Sequence, residues 1–377
     1  MKTQHRSDGF TLVEVLVAAG IIVVIMAILL GMTDQTQRLV RATSSKVEQF
    51  QEARVAFESM TRRLSQATLN TFWDYVYDSN GKPTGYERKA ELRFRSGPMK
   101  TITGSSGTEW PGHGVFFQAP LGMVTDNTKL GVLDHLMNSW GYFVEIGDDS
   151  KQLPSFLTSP TQLVTPRKRY RLLEFMEPSE SLSVYKFQND PNNRNWFSQS
   201  IAVSKTDRPV RVLAENVVAL IILPRLSLAD EKRISTTTPP VLAPNYNYDS
   251  TVTPAGSSGS LNSKTLSGML LNSYNQLPPV VQVTMVAIDE PSAKRLEDLY
   301  GTDPYLGIGT NPDALSQSTL FTNPSVLTES AKVAKGDITK FTNFLSSSKP
   351  KNIRASYRVF STNVTIKGAK WSLHTAN

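Results

Sequence analysis

The stretch Gly9-Phe10-Thr11-Leu12-Val13-Glu14-Val15-Leu16-Val17-Ala18 opens an apolar run that continues to Met32. Residues 15–32 are 18 positions without a charge or a strongly polar side chain. At about 1.5 Å per residue, that is just enough helix to cross a bilayer. Thr11 and Glu14 interrupt its beginning. A carboxylate in a membrane segment is costly and therefore a candidate for function. Glu14 lies only about 6 Å along a helix from Phe10, near the headgroups and away from the bilayer centre.

The residues on either side narrow the reading. Residues 1–9 are polar, with Lys2, His5 and Arg6 against Asp8. A secretory signal peptide has a shorter apolar core followed by a small-residue cleavage site. Here the run is followed by Thr33-Asp34-Gln35-Thr36-Gln37, which has no such site. A plain signal anchor fits the length but leaves Glu14 unexplained. The positive-inside count is weak, because Arg38, Arg41 and Lys46 lie beyond the run while Lys2 and Arg6 precede it.

The short basic leader, the Gly9-Phe10 junction, the glutamate five positions on and the apolar run together resemble the prepilin N-terminal cleavage and methylation motif. The resemblance implies that Gly9 is the last leader residue, cut from Phe10 by a prepilin peptidase on the cytoplasmic side. Phe10 would then be the N-methylated amino terminus. Glu14 would offer its carboxylate to the amino group of a neighbouring subunit during assembly. The alternative for Glu14 is pairing within its own chain, since the amine lies one helical turn away. The other implied partners are further pilins or minor pseudopilins, an inner-membrane assembly platform and membrane lipid. The implied location is the inner membrane, crossed once, with the C-terminal domain periplasmic.

Beyond the membrane segment the helical pattern continues. No proline or glycine occurs between Met32 and Leu69, and Phe50, Ala53, Phe57, Met60, Leu64 and Ala67 recur at spacings of three and four. That is the period of an amphipathic helix, predicted to run from Phe10 to about Leu69. A generic coiled coil is the weaker alternative, because there are fewer than four clean heptads.

After Leu69 the pattern becomes strand-like. Strands are expected at 90–95, 115–118, 142–146, 170–174, 183–187, 211–223, 280–288 and 356–366. Asp78-Ser79-Asn80-Gly81 reads as a hairpin turn in which Asn-Gly supplies positive φ angles, in preference to a calcium loop with incomplete spacing. Asp148-Asp149 reads as a solvated turn. Two Ser/Thr/Pro/Asn-rich segments, about 235–268 and 301–351, read as flexible insertions. Short helices are expected at 292–300 and after Asp337, the latter with Ile338, Phe341 and Leu345 on one face.

The fold class is therefore α+β: a long N-terminal helix, half membrane-spanning and half amphipathic, packed on a mainly antiparallel β domain. The divisions are 1–9 for the leader, 10–32 for the membrane half, 33–70 for the amphipathic half and 71–377 for the globular domain. Leu213-Ala214-Glu215-Asn216-Val217, Leu220-Ile221-Ile222 and Leu277-Pro278-Pro279-Val280-Val281-Gln282-Val283 are similar to the J-type minor pseudopilins of type II secretion. Val286-Ala287-Ile288-Asp289-Glu290, Ser292-Ala293, Arg295-Leu296, Tyr357-Arg358-Val359-Phe360-Ser361-Thr362 and Ala369-Lys370-Trp371-Ser372 resemble the Verru_Chthon cassette protein C family. In physical terms both sets read as alternating apolar strands, with Trp371 packed at a sheet edge.

Composition limits the function. The formal charge is +7, but the basic residues are scattered with no long like-charge block, so a nucleic-acid partner is not expected. Cysteine is absent, which excludes disulfides, thiolate zinc sites and cysteine nucleophiles. The four histidines, His5, His113, His135 and His374, form no recognised metal or catalytic motif, and His113 reads as a loop residue. Neither an enzyme nor a cofactor is expected. A head of about 300 residues should be roughly 50 Å across, while packed stems want about 8–10 Å. That mismatch favours a minor subunit near a fibre tip. A pilus-displayed binding module (an adhesin or DNA receptor) and an anchored exported enzyme remain as alternatives.

Overall fold

The structure, a computed structural model, describes residues 11–105, 107, 109–131, 133, 135–150, 153–154, 157, 164–186, 195–205, 207–234, 242–251, 265–266, 269–270, 274–308, 320–324, 327, 336–346, 354–370 and 374–375. Two compact units share the chain, residues 1–49 and 50–377. In the first, helix α1 (Leu12–Leu64) begins. Within its span Leu12–Gln37 an 18-residue stretch reaches a mean hydropathy of 3.0, and none of that stretch is buried.

The second unit receives the other end of α1. Ala53, Ala56, Phe57, Met60 and Leu64 are buried in the main core, followed by Ala67, and Phe50 is packed at its margin. The three-four stripe is thus the buried face, while Arg54 and Glu58 pair on the solvent side. The helix ends at Leu64, short of the expected Leu69. The next residues are recruited elsewhere: Lys367 donates to Ser65 O, and Thr68 bridges to Gln118. Tertiary pairing stops the helix where propensity alone would continue it.

The strands, in chain order, are β1 (Phe72–Tyr77), β2 (Pro83–Lys89), β3 (Arg95–Pro98), β4 (His113–Pro120), β5 (Met137–Asp148), β6 (Lys168–Glu177) and β7 (Val210–Glu215). They continue with β8 (Val217–Arg225), β9 (Tyr248–Asp249), β10 (Thr265–Leu266), β11 (Met269–Leu270), β12 (Val280–Ile288), β13 (Tyr357–Thr365) and β14 (His374–Thr375). A six-stranded antiparallel sheet has the order β7-β6-β5-β4-β3-β9, and a three-stranded one has β13-β12-β8. The hairpin β1-β2 and the small sheet β10-β11-β14 complete the set. This is an α+β, pilin-like architecture: a long apolar N-terminal helix followed by a mainly antiparallel domain.

Alternation divides the large sheet between two cores. Val115, Phe117, Trp140, Tyr142, Tyr170 and Leu172 face the main core with α1 and the three-stranded sheet β13-β12-β8. Phe116, Phe143, Leu173 and Phe175 face a second core closed by Trp196 and Phe197. Period-two side-chain direction makes one strand serve both.

Several expectations are corrected. The expected strand at 90–95 begins only at Arg95. Residues 183–186 form a helical turn, because the buried Glu177 carboxylate accepts both the amide and the hydroxyl of Ser183 and curls the chain. The 211–223 strand is two strands: Asn216 turns with φ 60°, so β7 pairs with β6 while β8 crosses to β12. At the hairpin turn Gly81 has φ 76°, but Asn80 is not left-handed. Instead Asp78 Oδ1 accepts from the amides of Asn80 and Lys82. In the first expected insertion, Leu242, Ala243, Tyr246 and Tyr248 are core residues, and most of that segment lies outside the described residues. The helix Asp337–Ser346 in the second buries Phe341 and Leu345 as read, with Ile338 at the core margin. The helix Glu290–Tyr300 starts two residues earlier than read, capped by Asp289, whose side chain accepts from Ser292 N. Asp149 is buried, bonded to the Arg167 amide, and Asp148, though exposed, is the last residue of β5.

Candidate functional site

The sequence points first to the start of α1. Gly9 and Phe10 lie outside the described residues, as do His5 and Trp371. Thr11 stands at the N-cap of α1, and Glu14 is the third helical residue. Glu14 Oε2 accepts from the Thr11 amide at 3.0 Å and the Thr11 hydroxyl at 2.9 Å. The Glu14 amide donates back to Thr11 Oγ1 at 3.3 Å. This is a reciprocal capping box, which satisfies donors that the first turn cannot pair internally. The spacing Thr-x-x-Glu before an apolar run is its sequence signature, and it went unread beside the question of Glu14's partner. Within the described chain, Glu14 is paired locally.

From Val15 to Met32 the helix offers only apolar surface. Leu12, Leu16, Ile22, Val23 and Leu30 are each more than half exposed. A helix that is apolar all round is stable only in lipid or among other apolar helices.

A family model for the prokaryotic N-terminal methylation motif matches residues 4–30. The chain carries a prepilin-type N terminus. No curated protein and no solved structure matches it. The matched residues include Gly9, Phe10 and Glu14, and the motif implies processing by prepilin peptidase and assembly with other pilins. Together with the apolar helix, it suits a membrane-anchored, pilin-like protein.

Two features of the second unit escaped the sequence reading. One is the aromatic face of the β1–β2 hairpin, whose turn at 78–81 was expected but whose strands were not. Trp73 stands opposite Arg88 and Tyr75 opposite Tyr86, with Tyr77 beyond. The Tyr75 ring lies 4.7 Å from Tyr86 and 6.1 Å from Tyr77, and the Arg88 guanidinium sits 5.2 Å over the Trp73 ring. Trp73, Tyr77 and Tyr86 are each more than half exposed. The run Phe72-Trp73-Asp74-Tyr75-Val76-Tyr77, rich in aromatic residues, is a strand signal that could have found it.

The other is His113, which is no loop residue. It opens β4, is fully buried, and its Nδ1 accepts from the Ile222 amide at 3.2 Å. Burial pushes its pKa down to about 4, so it is neutral at ordinary pH. His135 is exposed in a turn. Among the described residues, no cluster of three His, Asp or Glu side chains could hold a metal ion.

Proposed function

We propose that this chain is a minor pilin or pseudopilin, a structural subunit of a type IV pilus or a type II secretion-like pseudopilus. The observation that carries this reading is the methylation motif at residues 4–30 on a helix whose apolar surface is entirely uncovered. Prepilin peptidase cuts between Gly9 and Phe10, and Phe10 becomes the N-methylated terminus. The helix then waits in the inner membrane, with the large domain periplasmic, until the assembly platform moves it among other pilin stems.

Glu14 acts in that transfer. In lipid its carboxylate is held by the Thr11 cap; among stems, an incoming amino terminus offers it an opposite charge. In a low-dielectric bundle an unpaired charge is expensive, so the pairing selects the register at which subunits lock. The resemblance of the β7–β8 and β12 segments to J-type pseudopilins supports a minor subunit. The size of the head favours a position near the tip. Glu14→Val is the experiment: it should insert in the membrane normally but fail to enter fibres, and normal incorporation would overturn the role of Glu14.

A second reading, a binding module displayed on a fibre, is favoured by the exposed aromatic hairpin. Contiguous exposed aromatic surface marks interaction sites. Loss of fibre attachment to its target in Tyr75→Ser/Tyr86→Ser, with fibre assembly unchanged, would support that reading.

A further inference from the structure

A cavity of about 500 Å³ opens between β3, β4 and β8 in the second unit. Its volume lies in the range of pockets that enclose small ligands. Trp110, Leu220 and Phe321 give it apolar walls, and Lys100, Asn245 and Asn247 bring polar groups to it. Trp110 is fixed by its indole N–H, which donates to Glu145 at 3.0 Å, so its ring is a rigid wall.

The backbone around this cavity is held at a cost. Asn245 (φ 53°) and Phe321 (φ 56°) line it, and Tyr246 (φ 61°) and Leu306 (φ 48°) adjoin the lining residues Asn245 and Tyr305. These are four of the seven left-handed non-glycine residues described, so the strain is concentrated here. Such conformations cost about 1–3 kcal/mol each and gather at ligand sites. Gly112 (φ 81°) lets its backbone approach β8, where an added Cβ would meet the Leu220 carbonyl oxygen at 3.1 Å.

Charge and the apolar walls indicate the ligand. Among the described residues no carboxylate lines the cavity, and Lys100 carries the one formal charge, since His113 is neutral. The Lys100 ammonium lies 5.7 Å from the Tyr305 ring centroid and is exposed at the mouth. The geometry points to a binding site for an amphipathic anion: an apolar body seated against Trp110 and Phe321, ended by a carboxylate that meets Lys100. A free aryl- or alkyl-carboxylic acid and the C-terminal carboxylate of a peptide ending in an apolar residue share this chemistry.

Calorimetric titration of the full chain in detergent micelles, with a micelle-only blank, tests it. The probes are 4-phenylbutyrate and a tetrapeptide ending in Phe, each against its neutral counterpart, 4-phenylbutanol or the peptide amide. At least one carboxylate should bind, tenfold or more tightly than its neutral counterpart, and which one binds identifies the source. Lys100→Glu should remove that preference while leaving the neutral counterpart unchanged. Thr101→Trp, a rim substitution on an exposed residue, should abolish binding of both with the melting temperature retained. Absence of binding by both carboxylates, equal binding of acid and neutral forms, or indifference to Lys100→Glu would overturn the assignment.

Discussion

Arg63, in the last turn of α1, pairs with Glu174, a fully buried carboxylate in β6. Glu174 also accepts from Tyr142 Oη at 2.9 Å and pairs with Arg211. The Arg63 guanidinium lies 4.5 Å over the Trp140 ring. One charged residue thus ties the helix to the centre of the large sheet, through an ion pair and an aromatic face. Removing one partner of a buried pair leaves a charge without compensation, which is typically worth 3–5 kcal/mol. Arg211 remains in place, so Arg63→Ala should lose about 3 kcal/mol, measured by denaturant unfolding of the detergent-solubilised chain. A loss within about 0.5 kcal/mol would show that Arg211 alone satisfies the carboxylate.

The joint at Asn216 predicts a graded series. Its amide side chain donates to Glu290 Oε2 at 2.8 Å, its carbonyl accepts from Ile288 N, and its φ is 60°. Asn216→Ala loses the bond and keeps the strained backbone, whereas Asn216→Gly loses the bond but relieves the strain. The alanine variant should therefore be less stable than the glycine variant by about 1 kcal/mol. Equal stability would mean that the left-handed turn carries no strain.

This joint also shows what the sequence could and could not disclose. The segments 211–223 and 280–288 were visible as apolar strand runs, but nothing in their pattern says that one break at Asn216 sends the chain from one sheet to the other. The membrane helix, the stripe from Ala53 to Leu64 and the strand 280–288 were legible because each depends on a local period. The buried Glu177 that curls residues 183–186, and the core positions Tyr246 and Tyr248 inside a Ser/Pro-rich segment, depend on distant partners and were not. At the candidate site, the motif made Glu14 visible, and the same stretch held the unread Thr11 cap.

His113 should give the fold a pH dependence. Its folded pKa of about 4 lies below the ordinary value of 6.5, so between those limits the unfolded chain binds the proton and the folded one does not. Stability from this group is complete above about pH 6.5 and falls as pH drops toward 4, by about 3 kcal/mol in total. Glu177, whose pKa burial raises, works in the opposite direction at the acid end. The difference between the wild-type protein and His113→Asn isolates the histidine. Unfolding free energies should fall more steeply with acidification in the wild type, and parallel curves would contradict a neutral buried His113.

Arg169 is nearly buried in β6 and bonds to Glu290 at 2.9 Å and Glu297 at 2.5 Å, joining the sheet to the helix Glu290–Tyr300. Burial pushes the Glu290 carboxyl up, but Arg169 and Asn216 outweigh it and hold the pKa below the usual range. Its contribution is present above the unfolded pKa and lost as pH falls through the lower folded value. Arg169→Met should destabilise by about 3 kcal/mol at neutral pH and less at pH 3, where Glu290, buried and freed of Arg169, is protonated and needs no cation. An equal loss at both pH values would assign the effect to packing.

Amino-terminal mass spectrometry of the membrane-extracted protein decides whether this chain is processed as a prepilin. The pilin reading requires a mature chain that begins at N-methylated Phe10, with residues 1–9 removed. Recovery of an intact Met1 terminus, or of a cut beyond Met32, would contradict it.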